Sequence, residues 1–262
     1  MTAPSSPTSA PDTVDSEYED LLGQWSDLES ALSVLLARPH SVQDFAPKLR
    51  QCDRWLQDLV AHDIDAALYL MFQLAATSTV GYSAAHALVC ATLCHILAQE
   101  LQLPAQERDS LVRAAFSMNI AMTALQDELA QQREPLTPAQ RRAVDQHPRA
   151  GMDLLEELGI SDELWLELVG QHHAAQPEAP ALAGLPALER LTRILGAIDR
   201  YAAMISPRKS RAGHSTTESV RAIVGKDADA RDEVGLTLVR TVGLCPPGTF
   251  VRLDNGETAI VL

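Results

Sequence analysis

Eight groups with the chemistry of ligands or catalysts stand at spaced positions in this chain: His86 with Cys90 and Cys94, His147, the pair His172-His173, Asp199, and the basic run Arg208-Lys209-Ser210-Arg211. Imidazole nitrogen, thiolate and carboxylate oxygen are donors for borderline divalent metals. Clustered guanidinium groups suit phosphate. His86, Cys90 and Cys94 repeat at i, i+4 and i+8, so they share one face of a helix, with His95 beside them. Taken singly, each has a plainer reading. A histidine on an apolar helix is usually a satisfied core residue, a buried cysteine behaves as a small hydrophobe, and cations after a helix suit its C-terminus. Asp127, Glu128 and Glu134 read as a solvated charged face.

The order and neighbours of these residues say more than any one of them. Tyr82-Ser83-Ala84-Ala85-His86 is followed by Ala114 to Met122, then Gln146-His147-Pro148 with Gly151, Gln171-His172-His173, and Ile198-Asp199-Arg200. From about Tyr82 to about Val224 the chain resembles an HD-GYP domain, a family of cyclic di-GMP phosphodiesterases in the metal-dependent HD superfamily. The resemblance implies ligand roles for His86, for a central His-Asp pair, and for His147, His172, His173 and Asp199. It also implies phosphate contacts for Arg208 and Arg211. Where the family carries its His-Asp pair, this chain has Met118-Asn119. A thioether is too soft for such metals, and a neutral amide cannot bridge two cations.

Further departures surround the pair. Ala121 and Met122 stand for the family's Gly and Lys, Ala174 stands for a Glu, and the Gly-Tyr-Pro triad is not recognisable between Ala175 and Pro180. Two-metal hydrolysis needs the ions to generate the nucleophile and clamp the transition state. These losses therefore imply a non-catalytic regulatory or scaffolding module in bacterial cyclic di-GMP-type signalling. It would bind a protein partner such as a diguanylate cyclase domain, a second copy of itself, or a nucleotide left uncleaved. The alternative is a metal-dependent phosphohydrolase with an altered site on His147, His172, His173 and Asp199. No cofactor is expected under the first reading; the second retains a divalent ion such as Zn, Fe or Mn on those residues with His86.

Composition bounds the elements that must position these groups. The chain of 262 residues is 46% hydrophobic but only 4% aromatic, which favours helices built from Ala and Leu over an all-strand fold. Its formal net charge of −14 repels nucleic acid and anionic lipid. No apolar run is long enough to span a bilayer, the first fifteen residues are not expected to act as a secretory signal, and four cysteines in a chain this size suit a reducing cytoplasm.

Met1 to about Glu17, rich in Pro, Ser and Thr, is expected to be a disordered tail. Apolar residues at helical spacing predict helices over Tyr18–Ala37, Val42–Ala61 and Ile64–Ser78, an N-terminal segment (18–80) that must bury its stripe on the following domain or on a partner. The HD-GYP-like domain (81–242) is expected to be all-α. It contains helices from Ser83 to Leu101, from Ala105 unbroken through Met118 to Gln132, from a Thr137–Gln140 capping box through His147, from a Ser161 cap to His172, and from Leu188 to Ser206. Short helices are expected over Thr216–Val224 and Asp232–Val242. On the unbroken helix, Met118 and Met122 would share a face and fill the former metal cavity. The chain from 243 ends in a small β-hairpin about Asp254-Asn255-Gly256.

Overall fold

In a computed structural model, the protein is described at residues 12–77, 80–174, 181–206, 208–209, 218–219, 222, 232–243, 245, 247 and 249–261. The expected tail before Asp12, the loop 175–180, Arg211 and most of the helix expected over Thr216–Val224 lie outside the described residues.

The described elements are helical apart from one hairpin, as composition requires. They are α1 (Asp12–Ala37), α2 (Phe45–His62), α3 (Ile64–Thr77), α4 (Tyr82–Glu100), α5 (Ala105–Ser117), α6 (Thr123–Gln131), α7 (Pro138–Glu157), α8 (Glu163–Gln171), α9 (Ala187–Ile205) and α10 (Glu233–Val242). The hairpin pairs β1 (Phe250–Arg252) with β2 (Thr258–Ile260), antiparallel, with Phe250 opposite Ile260. Its turn uses Gly256 at φ +85°, a conformation glycine adopts without strain. α1 begins six residues before the expected Tyr18, so the helix runs into what composition marked as tail.

α4 is the axis of the bundle. Every residue from Ser83 to Ala98 is buried, as a helix apolar on all sides demands. α5, α9, α1 and α3 pack around it. The stripe of the N-terminal helices is covered within the chain: Trp25, Leu28, Leu32, Leu49 and Leu56 are fully buried in a core continuous with α4, α5 and α9. A buried ion pair from Arg113 Nε on α5 to Asp53 Oδ2 on α2, 3.3 Å, fixes how this segment docks. Asp53 also accepts from Gln57, 2.8 Å.

The helix expected to run unbroken through Met118 stops at Ser117. Ser117 Oγ donates to Arg113 O at 2.8 Å and accepts from Trp165 Nε1 at 2.8 Å, so α8 is anchored on the last turn of α5. Asn119 then leaves helical geometry (φ −102°, ψ 12°), a 3₁₀ turn covers Ile120–Met122, and α6 starts at Thr123. Neither Gly nor Pro announces this break; a tertiary contact helps to make it. Met118 is fully buried while Met122 is only half-buried and Ala121 is exposed. The two methionines therefore do not share a helix face.

Candidate metal centre

α7 and α8 bring three imidazoles together. α7 starts on the full capping box expected, with Thr137 accepting from Gln140 N and the Gln140 side chain accepting from Thr137 N. His147 lies in its third turn. α8 is capped by Asp162, not Ser161: Asp162 accepts from Trp165 N at 3.0 Å and from Ser110 Oγ at 2.8 Å. His172 caps the other end of α8, and His173 follows it into solvent. Gly151, one turn after His147, lets α7 lie against α8 and the end of α5. A Cβ there would sit 3.2 Å from Val169 Cγ1 and 3.6 Å from Met118 O. The Met118-Asn119 junction is thus beside the helix of His147.

The ring nitrogens define what this cluster can do. His147 Nδ1 lies 2.5 Å from Val144 O, and His172 Nδ1 lies 2.7 Å from Val169 O. A carbonyl only accepts, so each Nδ1 holds the ring proton and each Nε2 presents a lone pair. Those two Nε2 atoms face each other at 3.0 Å. Two lone pairs cannot bond to each other; they need a cation between them. A proton suits the place badly: burial, then the charge of His173, pushes His172 down to about 3, and burial likewise lowers His147. A divalent metal suits it well, because backbone carbonyls on the far nitrogens are the partners that orient imidazole ligands. His147, His172 and His173 offer donors within 4.8 Å of one another, the three-nitrogen set zinc accepts. The residues present fit a metal, which would supply Lewis acidity toward an oxygen ligand on the side of exposed His173.

The other half of the site is built differently. α9 carries Asp199 against α4, and Asp199 Oδ1 accepts from His86 Nε2 at 2.9 Å. Burial raises the Asp199 carboxyl, but the hydrogen bond and charge of His86, with His172 and His173 beyond, outweigh it and hold the group well below the usual carboxylate range. Asp199 thus senses both halves. Gly196 favours this: a Cβ at that position would lie 3.0 Å from His172 O, tighter than an ordinary contact, so a side chain there would press α9 away from the end of α8. Cys90 Sγ stands 3.6 Å from His86 Nε2. Cys94 and His95 do not join this group and are core residues, the plainer reading of each. Cys94 is absent from the donor group, and His95 Nε2 pairs with Gln99 Nε2 at 3.1 Å while burial and Arg108 lower its pKa to about 4.

Three further residues position this half. Tyr82 stacks on the His86 ring, centroids 5.7 Å apart. Arg208 lies over Tyr82 at 4.8 Å and donates to its hydroxyl at 3.1 and 2.7 Å. It reaches the rim of the site and is engaged there by Tyr82. Asp127, expected on a solvated face, accepts from Ser83 N at 2.7 Å and Ser83 Oγ at 3.0 Å, capping α4 from another helix. Sequence reasoning missed Asp127, Gly196 and the pairing of Arg208 with Tyr82. Only the i, i+4 spacing of His86 and Cys90 gave a signal.

Separate helices of this bundle deliver imidazoles and a carboxylate to one interior, a donor set that could hold a metal ion. The chain belongs to the HD domain family, whose model matches residues 66–232. It is similar to the cyclic di-GMP phosphodiesterase PA4108 of Pseudomonas aeruginosa, 27% identical over 187 residues, which covers 69% of this chain and 44% of that one. The chain thus spans less than half the length of that relative. Its fold is similar to that of Bd1817, an HDGYP protein from Bdellovibrio bacteriovorus, with a TM-score of 0.60 and 14% identity over 89% of this chain and 74% of the other. No described helix is long and apolar enough to cross a membrane.

Proposed function

We propose that this chain is a non-catalytic, HD-GYP-like regulatory or scaffolding module of bacterial cyclic di-GMP-type signalling, working in the cytoplasm. The observation that carries this reading is Met118-Asn119, lying against α7 where hydrolysis needs a His and a bridging carboxylate. The absence of a Lys at Met122 and of a Glu at Ala174 supports it, since both would orient substrate or ligands. Its partner is a protein such as a diguanylate cyclase domain, a second copy of the chain, or a nucleotide held without cleavage, with Arg208 and Arg211 as phosphate contacts.

Incubating purified chain with cyclic di-GMP and Mn or Fe, with product separated by chromatography, is expected to give no linear dinucleotide or GMP above blank. Metal-dependent turnover that His172→Ala removes would instead establish the second reading, a phosphohydrolase with an altered site on His147, His172, His173 and Asp199. That reading draws support from the facing Nε2 lone pairs of His147 and His172.

A further inference from the structure

We propose that the cleft between the C-terminal end of α4 and the outer face of α10 binds a short free peptide, of about three residues, by its two charged ends. The site goes beyond the function proposed above and holds whether or not the chain hydrolyses any nucleotide. It also lies apart from the metal centre. Glu100, on its rim, closes the helix that His86 opens, and the length of α4 between them is about 21 Å at 1.5 Å per residue.

α10 is amphipathic. Val234, Leu238 and Val242 are buried in the core, while Glu233, Leu236, Thr237 and Arg240, at i, i+3, i+4 and i+7, line the cleft with the opposite face. Glu100 and Gln102 stand across from them. The cavity they share has a volume of about 490 Å³, within the range of small-ligand pockets. Its walls carry both signs of charge. Glu233 and Arg240 sit two turns apart on one helix face, so their backbone positions differ by about 10 Å along the axis. Three extended residues span the same length, at about 3.3–3.6 Å each. A peptide of that size therefore sets its ammonium at Glu233 and its carboxylate at Arg240, with a side-chain methyl against Leu236.

Two features prepare the cleft for such a ligand. Glu233 Oε2 accepts from Leu182 N at 2.6 Å, which fixes its carboxylate at one end and leaves Oε1 for the ammonium. Gln102 is the stronger sign. It occupies the left-handed position of a Schellman cap, φ +53°, with Leu103 N donating to Ala98 O at 2.9 Å and Gln102 N to Gln99 O at 3.0 Å. Glycine is the residue this position favours, and any other is strained there. Strain kept at a cavity wall points to a use for the side chain. The Gln102 amide, both donor and acceptor, matches a peptide bond. The net charge of −14 repels acidic peptides and draws the ammonium end.

Calorimetric titration of the full chain with Ala-Ala-Ala, in chelator so that no metal contributes, tests this. Saturable one-to-one binding is expected. The N-acetylated peptide and the C-terminal amide should each bind about tenfold or more weakly, as loss of a hydrogen bond to a charged group implies. Free alanine, too short to reach both charges, should bind weaker still. Arg240→Gln should weaken tri-alanine about tenfold yet leave binding of its amide unchanged. Gln102→Gly should raise the Tm of the peptide-free chain by relieving the left-handed strain and also weaken binding, a combination that a merely structural residue does not give. No saturable heat up to about 10 mM tri-alanine, equal binding of free and capped peptides, or undiminished binding by Arg240→Gln would overturn the proposal. Nucleotide turnover, assayed separately, decides only the reading of the previous subsection.

Discussion

Replacing His172 by Asn should make the metal-free protein markedly less sensitive to acid. His172 is 2% exposed, and burial lowers its pKa from 6.5 to about 3. Below pH 6.5 the unfolded chain takes up a proton at this residue that the native state refuses until pH approaches 3. The unfolded state thus binds more protons throughout that window, and stability falls as pH falls. At about 1.36 kcal/mol per unit, the 1.5 units between pH 6.5 and 5.0 remove about 2 kcal/mol. In a chain of this size that is a drop of about 4–8 °C in Tm. His147 and His95, also lowered by burial, add to the loss in the same direction. Asn keeps an N–H donor for Val169 O, as His172 Nδ1 does at 2.7 Å, but does not titrate. Urea denaturation in chelator at pH 7 and pH 5 should give a pH-dependent difference about 2 kcal/mol smaller for His172→Asn than for the parent. Equal differences would show that His172 is not held neutral in the interior, and the lone-pair argument for the metal centre would fail with it.

Gly196→Ala places a methyl group 3.0 Å from His172 O; the protein should stay folded by circular dichroism yet bind zinc about tenfold or more weakly by calorimetry, because ligand orientation is lost. Unchanged affinity would mean that α9 does not set the position of His172. Asp127→Ala removes both bonds to Ser83 and should destabilise the chain by about 1–3 kcal/mol in urea, against about nothing for a truly solvated carboxylate at this site. Restoring the pair, Met118→His with Asn119→Asp, should strengthen manganese uptake without conferring hydrolysis, since Met122 and Ala174 remain. A folded double variant that binds manganese no better than the parent would show that the end of α5 does not point these side chains into the site.

Local chemistry was legible in the sequence. The all-α class followed from abundant Ala and Leu with few aromatic residues, the helix α4 from its apolar run, the start of α7 from Thr137 and Gln140, and the hairpin from Asn255-Gly256. These depend on backbone preference and patterning, which neighbouring residues carry. The membership of the imidazole cluster was also legible, because His147, His172 and His173 keep their order and spacing although Ala174 departs from the motif. Which nitrogen faces which atom was not. The opposed Nε2 lone pairs of His147 and His172 depend on carbonyls of Val144 and Val169, and on how closely α7 and α8 approach across Gly151. The split between an imidazole half and a His86–Cys90–Asp199 half depends on α9 meeting α8 at Gly196. Asp127 reads as a solvated acid until α6 is laid beside the start of α4, and Arg208 as a helix-end cation until it lies on Tyr82. The break after Ser117 carries no local signal because its cause includes Trp165, which is 48 residues away in the chain. Spacing along a helix fixes which side chains share a face, but only packing between helices fixes which faces meet.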